Sequence, residues 1–297
     1  MKHYESIIIG HITLDHNVDH LGNAVDVVGG AVNFSSASAY ALGHKVAAVT
    51  RLNEKDFDRL NEFVIPKEDI YCIASPSSSN MYNRYFTPDK ERRECRCTSV
   101  GTPFTIDDIP SDIEGDIIHF AGLVYGDYTT EMMIEASKKA PIAVDVQTCL
   151  RHVKDDGSMY FEDWADKKKV LPYVRFLKTD AAEAEILTGL TDRKEAAKLL
   201  HEWGAQEILI THNTEVLAYD GGEFYTCPIR ARNLSGRTGR GDTTFAAYYT
   251  ERLTSDIKTS LLCATATVSA KMEAPGVYKG TRKDIEAYID EFYKDCK

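Results

Sequence analysis

Ser235-Gly236-Arg237-Thr238-Gly239-Arg240-Gly241-Asp242-Thr243-Thr244-Phe245 is the stretch on which the reading of this chain turns. Its glycines at 236, 239 and 241 run into a helical pattern over 243–253. Glycine lets the backbone take positive φ and come close to a ligand. Successive N–H groups in such a turn, at a helix N-terminus, make an anion site without basic side chains. Asp242 sits at the junction, where the helix dipole favours its ionised form. A carboxylate beside an anion nest suits one task well: accepting the proton of a hydroxyl as it attacks a phosphoryl group. The competing reading makes Asp242 a plain helix N-cap. The glycines run G-x-x-G-x-G, so neither a G-x-x-x-x-G-K-[ST] loop nor the G-x-G-x-x-G dinucleotide fingerprint is present.

Outward from this stretch, short apolar strands alternate with amphipathic helices. Residues 7–9, 46–49, 117–120, 142–146, 175–177 and 207–210 read as buried strands. Gly29-Gly30 opens a helix of small residues that Gly43 ends. The clearest helix precedes Glu207: Asp192 caps it with Glu195 three residues on, and Ala196, Leu199, Leu200 and Trp203 share one face. This alternation predicts an α/β fold, a mostly parallel central sheet covered by helices on both faces. From Asn80 to Val100 the rhythm changes to alternating residues rich in Tyr, Arg and Cys, with a turn near Thr87-Pro88-Asp89-Lys90. Cys95 and Cys97 fall on one face, Glu94 and Arg96 on the other. That is a hairpin, and a small β lid over the main domain is its expected role.

The 297 residues allow two domains or one large one. Lys and Arg number 35 against 46 Asp and Glu, a net charge of −11. Broad binding to nucleic acid or anionic membrane needs basic patches and is not expected. Apolar residues make up 43% and charged residues 27%, as in ordinary soluble domains. The seven cysteines are scattered with no C-x-x-C pair, which suits reduced thiols in a cytoplasmic protein. Ile7-Ile8-Ile9 is too short for a signal-peptide core or a membrane span. His11, His16 and His20 with Asp15 and Asp19 suggest a metal site only weakly, since zinc needs three or four converging ligands.

Five stretches, in order, resemble the ribokinase-like (PfkB) sugar kinases. Thr238-Gly239-Arg240-Gly241-Asp242 is similar to that family's T-G-A-G-D signature. Gly10-His11-Ile12-Thr13-Leu14-Asp15 is similar to its N-terminal G-x-x-x-x-D, and Gly29-Gly30 through Leu42-Gly43 to its first signature. Leu177-Lys178-Thr179-Asp180-Ala181-Ala182-Glu183 with Leu187-Thr188-Gly189 resembles its L-K-x-N-x-x-E…L-T-G segment. Ile208-Leu209-Ile210-Thr211 followed by Ala218-Tyr219-Asp220-Gly221-Gly222 resembles the strand and hairpin that contact nucleotide. The resemblance spans nearly the whole chain. It implies a single three-layer α/β domain over 1–297 with a β lid from roughly 12–28 and 78–101. It implies ATP-dependent phosphorylation of a hydroxyl of a sugar or sugar-like polyol, with Mg²⁺ as cofactor. Asp242 would be the base, and the amides of Gly239, Arg240 and Gly241 the anion hole. Asp15, Gly29, Gly30, Asn33 and Arg151 would hold the acceptor. Lys178, Thr211, Thr238 and Gly239 would contact the donor. Glu183, through water, and Asp180 would serve Mg²⁺. A homodimer through the lid is a further expectation.

Some positions depart from the family. Phe34 stands where an asparagine is usual, with Asn33 one residue early. Asp145-Val146-Gln147-Thr148-Cys149-Leu150-Arg151 resembles the D-x-Q-G-x-x-R of a less characterised branch. Thr211-His212-Asn213-Thr214-Glu215-Val216 lacks both glycines of a T-x-G-x-x-G, which bears on how closely backbone approaches ATP. Gly236-Arg237 replaces an acidic residue, which bears on activation by monovalent cations. Arg240 replaces a small residue, its side chain expected to point to solvent. A nucleoside kinase, kept open by Tyr82 and Phe86, and a non-catalytic sugar sensor are the alternatives.

Overall fold

The computed structural model describes residues 1–87 and 92–296. Its strands in chain order are β1 (Lys2–Ile9), β2 (Thr13–Val18), β3 (Ala24–Gly29), β4 (Val46–Leu52), β5 (Ile70–Ala74), β6 (Asn80–Tyr85), β7 (Arg93–Ser99), β8 (Ile113–Phe120), β9 (Ile142–Asp145), β10 (Arg151–Val153), β11 (Met159–Phe161), β12 (Val174–Asp180), β13 (Glu207–Thr211), β14 (Glu215–Tyr219) and β15 (Phe224–Pro228). The helices are α1 (Ala31–Ala41), α2 (Thr130–Ser137), α3 (Gln147–Leu150), α4 (Lys167–Val170), α5 (Ala181–Thr188), α6 (Arg193–Glu202), α7 (Arg240–Glu251), α8 (Ile257–Met272) and α9 (Arg282–Phe292).

The central sheet runs β15-β14-β13-β12-β9-β8-β1-β4-β5. Its pairs from β13 to β5 are parallel, and β14 and β15 close one edge antiparallel. Alternation along a strand sends successive side chains to opposite faces. In β1, Ile7 and Ile9 join the core layer under α2, α5 and α6, whereas Ile8 joins the layer under α1, α7, α8 and α9. Both faces are apolar because both are covered, which is the three-layer α/β architecture expected from the strand–helix alternation.

Local signals place the helices. Asp192 accepts from the amides of Lys194 and Glu195 at 2.8 and 3.0 Å and so starts α6. Gly43, at φ +87°, follows the end of α1 in the left-handed region that glycine tolerates. One boundary differs from expectation. Helix α7 begins at Arg240, three residues before the predicted start, with Gly239 as its N-cap at φ +75°. Asp242 therefore lies within the first turn and is not the cap.

A second sheet, β3-β2-β6-β7, stands apart from the first. Residues 13–18 and 24–29 supply two of its strands. His16 bonds Asp26 at 2.6 Å and stacks on Tyr82, and among the described residues no group of three or more His, Cys, Asp or Glu is placed to hold a metal ion. The turn expected at Thr87-Pro88-Asp89-Lys90 lies largely outside the described residues. A small hairpin, β10-β11, adjoins this sheet: Gly157 O accepts the amide of Cys97 at 2.9 Å. No helix among the described residues is long and apolar enough to cross a membrane, and all seven cysteines are free thiols.

Candidate active site

The strand ends of β9, β12 and β13 and the N-terminus of α7 open onto one crevice, as ligand sites in parallel α/β sheets do. Two contiguous cavities of about 490 and 310 Å³ fill the space between this edge and the inner face of the second sheet. Period-2 alternation aims every other residue of that sheet inward. Asp15, Asn17, Val25, Val27, Met81, Asn83, Tyr85, Arg93 and Cys95 line the cavities. Their neighbours Arg96 and Glu94 pair with each other at 2.6 Å on the outside.

The smaller cavity gathers most of the site residues expected from sequence. Residues 237–242 line it together with Asp15, Gly30, Arg151, Lys178, Asp180, Glu183 and Thr211. The first amides of α7 have no helical partner four residues back, so this helix end presents positive charge toward the cavity. Close packing fixes this helix end. Ser38 Oγ donates to Thr243 O at 2.8 Å and Ser35 Oγ to Asp242 O at 3.4 Å, which the small side chains of α1 permit.

Behind the turn lies a buried charge cluster. Lys178 Nζ is 3.1 Å from Asp145 and 3.5 Å from Glu183. Burial alone would lower its pKa, but Asp145, Glu183, Asp180 and Asp242 outweigh burial and keep it charged. Burial raises the carboxyl of Asp242, while Lys178, Arg151 and Lys271 pull it back. Burial is the larger influence, so the carboxyl sits above the usual aspartate range.

Asp180 and Glu183 form a reciprocal capping box at the start of α5. Asp180 Oδ1 accepts from the Glu183 amide at 2.8 Å and Glu183 Oε2 from the Asp180 amide at 2.7 Å. One oxygen of each is left for a hydrated cation at the cavity wall. Hard oxygen ligands of this kind fit Mg²⁺, which keeps most of its waters.

The expected site residues are mostly brought together, with three differences. Asn33 lines neither cavity. It is 1% exposed inside α1 with its Oδ1 unpartnered, because a step of about 100° along a helix turns it away from Phe34, which does line both. Lys178, expected at the donor, is turned into the carboxylate cluster beneath Gly241. Arg240 does not point to solvent: its guanidinium reaches Asn213 Oδ1 at 2.8 Å and lines both cavities. Of the aromatics, Tyr85 lines the larger cavity, Tyr82 stacks outside, and Phe86 is exposed beneath Arg84 and Arg92.

Sequence reasoning did not assign Asp145, Gln147, Arg237 or Lys271 to the site, and it read Arg93 more as a solvated sheet edge than as an anion contact. Asp145 had a usable signal, a carboxylate closing an otherwise apolar strand. Lys271 had another, a lone charge ending a run of small residues from 263 to 270.

The model of the pfkB family carbohydrate kinases matches residues 108–284. The chain belongs to this family. As a pfkB family member it is a phosphotransferase with a hydroxyl acceptor. One similar solved structure is a pyrophosphate-dependent kinase in the ribokinase family, complexed with a pyrophosphate analog and myo-inositol. It is 31% identical, has a TM-score of 0.85, and the match covers 95% of this chain and 99% of that one. A cytidine kinase of Thermococcus kodakarensis is 24% identical over 80% of this chain and 84% of that protein. The ribokinase of Arabidopsis thaliana, complexed with ribose and ATP, shares the fold at TM-score 0.74 and 14% identity over 97% of this chain and 99% of that one.

Proposed function

We propose that the chain phosphorylates a hydroxyl of a sugar-like cyclic polyol, an inositol first among them, and takes the phosphoryl group from inorganic pyrophosphate in preference to ATP. The observation that carries the donor is Arg240. Its 2.8 Å bond to Asn213 ties the anion turn to the turn after β13, and Arg93 and Arg237 line the same cavities. Guanidinium groups suit a compact polyanion. ATP needs in addition a backbone that closes on the nucleotide, and this chain has Asn213 and Val216 where such glycines would lie. The 31% identical kinase bound to a pyrophosphate analog and myo-inositol supports both halves of the reading.

In this scheme Asp15, Asn17 and Asn83 face the acceptor, carboxylate and amide oxygens accepting from its hydroxyls. Asp242 removes the proton of the attacking hydroxyl. The acceptor's hydroxyl oxygen forms the new P–O bond as the bond to the leaving phosphate breaks, and the amides at the start of α7 meet the charge on the phosphoryl oxygens. Mg²⁺, held through water by Asp180 and Glu183, would neutralise donor charge. The second sheet acts as a lid that excludes water.

The test is a matrix of donors (pyrophosphate, ATP) against acceptors (inositols, hexoses, ribose, nucleosides), read by ³¹P NMR. The expected result is an inositol phosphate plus orthophosphate, with higher kcat/KM for pyrophosphate. Higher kcat/KM with ATP would reverse the donor assignment, and no phosphorylated acceptor from any pair would refute the reading. A nucleoside acceptor is the second reading, favoured by the similarity to a cytidine kinase and by half-exposed Phe161 beside Arg151 at the cavity rim. Cytidine in the panel decides it.

A further inference from the structure

The 236–239 turn rests on the C-terminal end of α8. Gly236 N donates to Met272 O at 2.8 Å, and Ser235 Oγ to Glu273 O at 2.7 Å. A Cβ on Gly236 would stand 1.7 Å from Ala274 O, so no larger residue lets the turn seat this closely. Into this junction α8 sends Lys271, 2% exposed. Its Nζ donates to Gly236 O at 2.5 Å and to Thr238 O, and lies 5.0 Å from the ring centre of Phe34. An ammonium has three donors and no acceptor, and burying it unpartnered is costly. Two carbonyls and an aromatic face meet that need. The last turn of a helix, where carbonyls concentrate negative charge, is a favourable place for it. Burial draws Lys271 down to about 8, with the Asp242 carboxylate opposing, so the group is charged at neutral pH.

We infer that Lys271 is a positioning residue: its ammonium is a built-in cation that braces the 236–239 turn and so sets where the amides at the start of α7 present themselves. A buried ammonium on backbone carbonyls does what a bound monovalent cation would do, and the chain then needs none from solution. The kinetic consequence rests on the phosphotransfer reading above, whereas the bracing rests on geometry alone.

Three measurements test this. Lys271→Met keeps an apolar stem but removes the charge. Its kcat should fall about 10²-fold with little change in acceptor KM, the usual cost of misplacing a catalytic group by about 1 Å. Trypsin should cut after Arg237 and Arg240 faster than in the wild type, a readout that needs no substrate. In Lys271→Ala, which leaves room beside the carbonyls, ammonium or potassium chloride should restore trypsin resistance and part of the turnover, and tetramethylammonium chloride should not. Wild-type turnover should be the same in all three salts. Lys271→Met with unchanged kcat and trypsin resistance, or a wild type that requires potassium, would overturn the inference. Should neither variant fold, the wild-type salt series decides. Should the wild type phosphorylate no acceptor, the phosphotransfer reading fails on its own and the trypsin arm still decides the bracing.

Discussion

The ring of Phe34 fills the space that a side chain on Gly239 would need: a Cβ at 239 would stand 2.2 Å from the ring's Cγ and Cδ1. Gly239 is also at φ +75°, where an L-residue is strained. One aromatic on α1 thus sets the height of the turn that starts α7. Gly239→Ala carries both penalties. It is expected to cost about 1–2 kcal/mol of stability for the backbone alone and to lower turnover on the order of 10²-fold, as loss of an anion-hole donor does. Adding Phe34→Ala should relieve the clash but not the backbone strain, so the double variant should recover part of the turnover. A double-mutant cycle by denaturant unfolding and kcat measures the coupling, and strict additivity would contradict it.

Arg240 is expected to act on the donor. Removing a hydrogen bond to a charged group costs about 1.5–3 kcal/mol. Arg240→Ala should therefore weaken pyrophosphate binding about tenfold or more by calorimetry, with acceptor affinity little changed. Asn213→Ala, which frees the guanidinium without removing it, should have the smaller effect.

His44 lies between Glu5 and Glu251, 2.8 Å from each, and Arg282 bonds Glu251 from the far side. Burial lowers the imidazole's pKa, but the two carboxylates outweigh it and hold the ring above its usual value. A raised histidine contributes stability that is full below about pH 6.5 and fades as pH rises through the folded-state value. His44→Gln should therefore destabilise most near pH 6, by about 2 kcal/mol, and the gap should narrow toward pH 9. Thermal unfolding across pH checks this. A gap that widens with pH would contradict the arrangement.

Asp242 carries the opposite lesson for stability. Burial raises its carboxyl, so ionising it at neutral pH opposes folding. Asp242→Asn should be at least as stable as the wild type at pH 7. Wild-type kcat should fall on acidification at a pH above the ordinary carboxylate range of about 4.

Much of this was legible from local patterns. The strand–helix alternation predicts the three-layer fold because a sheet covered on both faces must be apolar on both, as Ile7, Ile8 and Ile9 are. The glycine spacing and Asp242 point to the anion turn because backbone conformation there demands glycine. What pattern does not convey is where a long side chain goes. Arg240 turning to Asn213, Lys178 turning into the carboxylates, and Lys271 crossing to the glycine turn all depend on neighbours remote in sequence. Asn33 shows the same limit at one-residue scale: a single step along α1 separates a cavity wall from the helix interior.

The central claim is that Asp242 is the base. Asp242→Asn should be assayed with pyrophosphate and an inositol, measuring kcat alongside acceptor affinity by calorimetry. The account predicts a fall in kcat on the order of 10²–10⁴-fold with acceptor affinity essentially unchanged. Near-wild-type turnover in a folded Asp242→Asn protein would contradict it.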